Sequence, residues 1–332
     1  MNYLDNPIFI CGHRKSGTTM LINLLDGNDE FVTYPDDSGF FYMYYPRYVS
    51  DVFNSKEKTD RICNRIINDN LKYVLKKIRC TPHELLKLES KADAFCQHVR
   101  NADLSKASLA DVLKIFIDAF RNSFYPKITH PRGWIEKTTS TEIYALDIVD
   151  EFPNAKFVHV IRDPRDNWAS LCSGWQKRYC QFNDEPNRLK QSMIERGRLG
   201  MEMAIENMEA LGKNHYKIVL FEDLVSDPVS TMKDVAGFIG MSFCDKLLQT
   251  STLGYTWTGN NFDGLKFTKP SNVNVSRWKE RIPATDAMLM EFHFKNVMKH
   301  FGYDFCFTAK ESAKAASDHY KWFNFSTPFS DK

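Results

Sequence analysis

The feature that most constrains this chain lies close to its start. An apolar run, "PIFIC" (7–11), passes directly into "GHRKSGTT" and then into "MLINLLDG", whose apolar residues recur at helical spacing up to Gly27. A buried strand, a loop with glycines at positions 12 and 17, and a helix starting on two threonines form the opening unit of an anion-binding α/β domain. An ATP-binding loop of this spacing reads G-x-x-x-x-G-K-[ST]. Here Thr18 occupies the lysine position, and the only lysine, Lys15, sits inside the loop.

The rest of the chain repeats the strand-then-helix alternation. "EFVTYPDDSGFFYMYYPRY" starts as a second strand and ends in acidic and aromatic residues, and "GWIEKTT" (133–139), "AKFVHVIRD" (155–163) and "HYKIVLFEDL" (215–224) read as further strands. Asp163 and Pro164 suit the N-cap and first position of a helix, and "DPVSTMKDVAGFIG" (227–240) reads as a helix closed by glycine. Between the second and third strands the pattern turns helical, as in "LADVLKIFIDAF", so residues 50–130 are expected to form a helical cap beside the sheet. The polar stretch 255–278 reads as a mobile loop, with helix-like sequence resuming at 284. This alternation predicts one domain over residues 1–332, with a mainly parallel sheet between helices.

Composition narrows the function. With 44 Lys and Arg against 42 Asp and Glu, the net charge of +2 supplies no global argument for nucleic acid, so any anion site is local. The first apolar run is too short for a signal-peptide core or a membrane span, which makes a cytoplasmic protein without a membrane span the expectation. Eight cysteines without a C-x-x-C pair or His/Cys ligand spacing read as reduced thiols, and no metal site is expected.

Successive N–H groups at a helix start form an anion nest, Gly17 permits close approach, and Ser16, Thr18 and Thr19 add hydroxyl donors. A nucleotide triphosphatase would also need a lysine on the outer phosphates and a strand-end acid for magnesium. Thr18 removes the first, and "HVIRD" puts Arg162 ahead of Asp163. Arg162 at a strand end and Ser170 two turns into the next helix suit a second phosphate, which implies a nucleotide with two separate anionic ends. The alternative for Arg162 alone is an ion pair with Asp163 or Asp166.

"RKSGTT" with the later "IRDPRDNWAS" resembles the two signature elements of sulfotransferases that use 3′-phosphoadenosine 5′-phosphosulfate (PAPS). "IVLFEDLVSDPVSTMKDVAGFIG" and "KPSNVNVSRWKERIP" are similar to two further family segments, in family order over about residues 7–300. The resemblance is closer to the carbohydrate, protein-tyrosine and bacterial branches than to the small-phenol branch, whose tryptophan after the threonines is Met20 here. It implies a P-loop-like sulfotransferase fold and a nucleotide site of Arg14, Lys15, Ser16, Gly17, Thr18, Thr19, Arg162, Ser170, Phe221, Arg277 and Trp278. Lys15 would touch the bridging oxygen of the leaving PAP, Arg162 and Ser170 would hold the 3′-phosphate, and the 255–280 loop would cover the nucleotide. Phe221 stands where several relatives carry a tyrosine, so it could pack on the base without a phenol hydrogen bond. No metal is implied.

Sulfuryl transfer calls for a base on the acceptor side. The small-phenol branch uses a histidine, but His98 and His130 lack matching surroundings. Relatives acting on carbohydrates place a glutamate shortly before a Phe-Phe pair, where "DDSGFF" has Asp37, with Asp36 as a neighbour able to substitute; simple turn formation before Gly39 is the other reading. In "WIEKTT", Glu136 and Lys137 resemble an acceptor-side pair, Glu136 being the second candidate base and Lys137 a lining residue; a buried ion pair is the other reading. The aromatic stretch 40–48 and the insertion are expected to form the acceptor cleft or simply to be core. The expected acceptor is a hydroxyl of a carbohydrate or hydroxylated metabolite, with an amine, phenol or protein tyrosine as alternatives. A P-loop nucleotide or sugar kinase and a non-catalytic scaffold remain as rivals.

Overall fold

The computed structural model describes residues 2–40, 78–104, 107–174, 186–259 and 261–326, together with the single positions 57, 60, 64 and 74. Among the described residues five strands make the central sheet: β1 (Pro7–Cys11), β2 (Phe31–Asp37), β3 (Gly133–Lys137), β4 (Lys156–Ile161) and β5 (Tyr216–Leu220). Their order is β2-β3-β1-β4-β5, and every pairing is parallel. β1, in the middle, is buried at all five positions, which is why its sequence shows no polar alternation.

Pleating divides each strand between two cores. On one face Phe9, Cys11, Trp134 and Phe157 join Phe95 and Val99 of the Pro82–Asn101 helix and Leu113, Phe116 and Phe120 of the Leu109–Phe124 helix. On the other face Ile8, Ile10, Ile135 and Val158 pack on Leu21, Leu24 and Leu25 of α1 (Thr18–Leu25) and on Val235 and Ala236 of the Pro228–Ile239 helix. The helices of the predicted cap thus bury their apolar stripes in the same core as the sheet. Each begins at a capping box, Thr81 with Glu84 and Ser108 with Asp111, which satisfies the first free N–H groups. Of the aromatic stretch 40–48 only Phe40 lies within the described residues; it is fully buried, 6.2 Å from Phe116 between ring centres.

Two segments differ from the sequence reading. The strand predicted over 215–224 stops at Leu220, and Phe221–Ser226 turns helical, with Glu222 and Asp223 in the first turn where negative charge favours a helix start. That turn swings Phe221 over the anion loop. The stretch 255–278 carries more structure than a loop. Its first residues, Tyr255–Thr256, pair with Ser251–Thr252 in a hairpin, Thr268 O accepts from Thr250 N (2.9 Å) and Thr258 O from Phe267 N (3.1 Å), and a short turn follows at Asn272–Asn274.

Candidate functional site

The β1–α1 turn has the strained geometry that an anion loop requires. Gly12, Lys15 and Gly17 take φ values of 131°, 67° and 112°, in the region where side chains are disfavoured. A Cβ on Gly12 would stand 2.5 Å from the Val160 carbonyl oxygen, and one on Gly17 would stand 2.5 Å from the Phe221 ring. Glycine at both positions therefore lets the loop lie flat against β4 and under Phe221.

Gly17, Thr18, Thr19 and Lys15 line one cleft together with Arg162, Ser170 and Phe221. Its far wall is the 250–281 segment, including Thr250, Trp257, Phe262, Lys269, Asn274 and Arg281. Arg162, one residue beyond β4, is only 6% exposed. It donates from Nη1 to the Lys15 carbonyl (3.0 Å) and from Nη2 to the Asn274 carbonyl (2.8 Å), and its guanidinium lies 4.4 Å from the Phe221 ring centre. Burial lowers its pKa from the usual value. Its Nε is buried without a hydrogen-bond partner among the described residues. Arg162 therefore ties both walls to the cleft floor.

The remaining nucleotide-side residues fall in different places. Lys15 Nζ lies 4.5 Å over the Phe262 ring. The Ser16 hydroxyl is buried beside Gly12, behind the loop. Arg14 turns away and donates to Ser192 Oγ at 2.9 Å. Trp278 packs against the Arg165 guanidinium, 4.5 Å from the ring centre, within the C-terminal core, and does not line the cleft. Arg277 also stays off the lining; it donates to Asn274 Oδ1 (3.2 Å) and stands 3.7 Å from Asp263.

Sequence reading missed the pin that holds this wall. Asp166, in the first turn of the Pro164–Cys172 helix, accepts the backbone N–H groups of Ser276 (2.6 Å) and Trp278 (2.8 Å). Arg165, next to it, pairs with Asp163 (2.7 Å) and Glu291 (2.6 Å). The second aspartate of "IRDPRD" was the available signal, since a carboxylate at a helix start normally caps its own helix, and this one reaches another segment.

Acidic candidates cluster at the ends of β2 and β3. The register sets Phe9 beside Glu136 and Ile10 beside Lys137, so the adjacent Glu136 and Lys137 point to opposite faces of the sheet. Lys137, on the α1 side, stands 3.5 Å from Thr19 Oγ1, 3.6 Å from Asp37 and 3.9 Å from Asp36. Asp37 accepts from Thr139 N (3.1 Å), Thr139 Oγ1 (2.9 Å) and Gly39 N (3.0 Å). Lys137 so links the acid to a threonine of the cleft. Glu136 is fully buried on the other face; it accepts from Ser38 Oγ and from Thr138 Oγ1 (2.5 Å), and burial pushes its pKa up to about 7. His98 and His130 are exposed, and neither lines the cleft.

A strand-order reversal beside a glycine-turned anion loop, an arginine at the next strand end and a cleft between them define an anion-binding α/β domain of the P-loop-like class. Residues 7–245 match the family model described as "Sulfotransferase family", and the chain belongs to that family; it is a sulfotransferase. Among solved structures it is similar to the sulfotransferase domain of the olefin synthase of Synechococcus PCC 7002, at 20% identity over 90% of this chain and 96% of that one, with a TM-score of 0.58. It is also similar to the sulfotransferase domain of the curacin biosynthetic pathway, at 16% identity over 90% and 98% of the two chains, with a TM-score of 0.52. At such identities the likeness speaks for the fold. No curated protein sequence matches the chain. No helix among the described residues is long and apolar enough to cross a membrane.

Proposed function

We propose that this sulfotransferase moves the sulfuryl group of PAPS to a hydroxyl of a carbohydrate or hydroxylated metabolite and releases PAP. The carrying observation is that the anion loop and the Arg162–Ser170 pair, distant in sequence, line the same cleft. A nucleotide with phosphates at both ends of one ribose suits two anion sites under a shared roof. In this reading the chain acts as one domain over 1–332, with residues 255–280 covering the nucleotide and the 50–130 insertion framing the acceptor.

Gly17, Thr18 and Thr19 hold the 5′ side through backbone and hydroxyl donors, and Arg162 with the Ser170 hydroxyl holds the 3′-phosphate. Lys15 donates to the oxygen between phosphorus and sulfur, where negative charge grows as the S–O bond breaks. The acceptor oxygen forms its bond to sulfur from the opposite side while Asp37 takes its proton. Lys137, between Asp37 and Thr19, orients the acid toward the cleft edge. Protein cations do the neutralising in this scheme, so the reaction requires no metal.

A thermal-shift series tests the nucleotide assignment. PAP should raise the melting temperature well above the shifts from AMP or ATP, and should do so in EDTA, because a ligand that binds only the folded state stabilises it by mass action. Equal shifts with AMP would remove the 3′-phosphate site from Arg162 and Ser170. Transfer from PAPS to a mixed acceptor library, read by mass spectrometry, then identifies the hydroxyl.

A further inference from the structure

Behind the anion loop, away from the cleft lining, four side chains with unlike donor atoms meet. Cys11 ends β1 and sits beside His159 of β4 in the strand register. Glu142 comes from the turn Thr141–Tyr144 after β3, and Tyr216 opens β5. All four are fully buried. One donor atom each from Cys11, Glu142 and His159 lies within 4.8 Å of the others.

The hydrogen bonds inside this group leave it incomplete. Glu142 Oε2 accepts the Gly12 N–H at 3.0 Å, while Oε1 has no partner among the described residues. His159 Nδ1 is 2.7 Å from the Tyr216 hydroxyl, while Nε2 likewise has no partner among the described residues. Among the described residues Cys11 Sγ has only long contacts, 3.8 Å to the Val158 carbonyl and 4.0 Å to the Tyr216 hydroxyl. Buried polar atoms are nearly always paired, and two orphans in one knot of Cys, Glu and His call for a missing partner.

We propose that Cys11, Glu142 and His159 bind one divalent cation of the zinc class, which braces the base of the anion loop. A sulfur, a nitrogen and an oxygen donor together select a borderline-soft transition metal over calcium or magnesium, which take oxygen ligands. Charge balance agrees: the thiolate and the carboxylate supply two negative charges, and a divalent cation with neutral imidazole brings a buried site to zero. On binding, the Cys11 thiol and the Glu142 carboxyl give up any protons they hold, metal–ligand bonds form, and no group is oxidised or reduced. Tetrahedral zinc sets its ligand atoms about 3.3–3.8 Å apart, so closure asks for side-chain movement on the order of 1 Å.

The consequence falls on Gly12. Cys11 is its covalent neighbour and Glu142 holds its N–H, so a cation joining the two fixes the first residue of the loop from both sides. It would be structural, with no contact to the reacting atoms, and compatible with a metal-free transfer step. Because the ligands have no exposure, the cation enters as the chain folds.

The test uses the full chain, expressed with added zinc or cobalt and purified without chelator. Metal analysis after passage over chelating resin should give close to one cation per chain. The cobalt form should show a thiolate-to-cobalt charge-transfer band that Cys11→Ser removes. Glu142→Gln keeps an acceptor for the Gly12 N–H, so it should fold, by circular dichroism, and yet lose most of the metal. Far sub-stoichiometric metal in the wild type, with no band when cobalt is present throughout refolding, would overturn the site. So would full metal and an intact band in both variants. The PAP thermal shift on the same wild-type samples reports the nucleotide reading separately: its failure with metal present counts against PAPS, and its success without metal counts against the cation.

Discussion

The two sides of the cleft are built in opposite ways. The nucleotide side comes from strand-to-helix turns, β1 into α1 and β4 into the Pro164–Cys172 helix, each contained in fewer residues than one helix and strand together. The acid side is assembled across the sheet, from Asp37 at the end of β2, Lys137 at the end of β3 and Thr19 of α1; of the three only Thr19 lines the cleft, and the other two stand behind it. The first kind of site is carried by local backbone geometry; the second exists only because β3 lies between β2 and β1. Binding should therefore depend mainly on the first side and proton removal on the second.

The widest separation is expected from Asp37→Asn. The amide keeps the shape and its single oxygen can still accept from Thr139, at the cost of the Gly39 contact on the other oxygen, but it cannot take the acceptor proton. Turnover should fall by roughly 10²–10⁴-fold, the usual range for loss of a general base. PAP affinity, measured by calorimetry, should hardly change. Should Asp37→Asn remain active while Glu136→Gln is dead, the proton is removed on the opposite face of the sheet and the comparison between the two sides breaks.

Arg162→Ala should act in the other sense. It removes a buried guanidinium that holds the carbonyls of Lys15 and Asn274, so PAP binding should weaken by about 2–4 kcal/mol. Lys15→Ala should lower turnover more than affinity, because its charge matters most as negative charge develops on the leaving group. Equal profiles for the two variants, from affinities and single-turnover rates, would erase the division of labour between loop and strand end.

This contrast also explains what the sequence disclosed. The parallel sheet, the anion loop and the Arg162–Ser170 pair were readable because each rests on a short run with its own backbone requirement, such as the positive φ at Gly17. Opposite placement of Glu136 and Lys137 was implicit in strand pleating, yet which face met the cleft depended on register with β1. The Asp166 pin was hidden, since its partners lie 110 and 112 residues away. Trp278, expected at the nucleotide, instead packs on Arg165, because the Trp278–Arg281 helix turns its first side chain inward. The Cys11–Glu142–His159 group was invisible for the same reason: its members come from three separate segments.

A smaller effect would sharpen the account of Glu136. Its folded pKa, about 7, is raised by burial above the ordinary 4.5, so the folded state binds the proton more tightly than the unfolded one. Its contribution to stability is complete below about pH 4.5 and is lost as pH rises through about 7. Glu136→Gln, which mimics the protonated form, should gain on the wild type over that window by up to about 2–3 kcal/mol. Denaturant melts of both proteins at several pH values provide the measurement. A difference that does not change with pH would mean that Glu136 is not held in a desolvated site.

The smallest effect concerns the far wall. Asp263 pairs with Arg281, which lines the cleft, and stands 3.7 Å from Arg277; its side chain is 30% exposed, so water screens both contacts. Without nucleotide, Asp263 neutralises these cations and fastens the 257–263 stretch to the Trp278–Arg281 helix. A phosphate entering the cleft competes with it for Arg281. Asp263→Asn should therefore lower the stability of the free protein by less than about 1 kcal/mol, as expected for a partly exposed pair. The same change should leave PAP affinity equal or slightly higher, since Arg281 no longer has to be drawn from a carboxylate. Both shifts should shrink at high salt. A clear loss of PAP affinity in Asp263→Asn would show that the carboxylate positions Arg281 for the nucleotide instead of competing for it, and would move this wall from passive cover to the binding machinery.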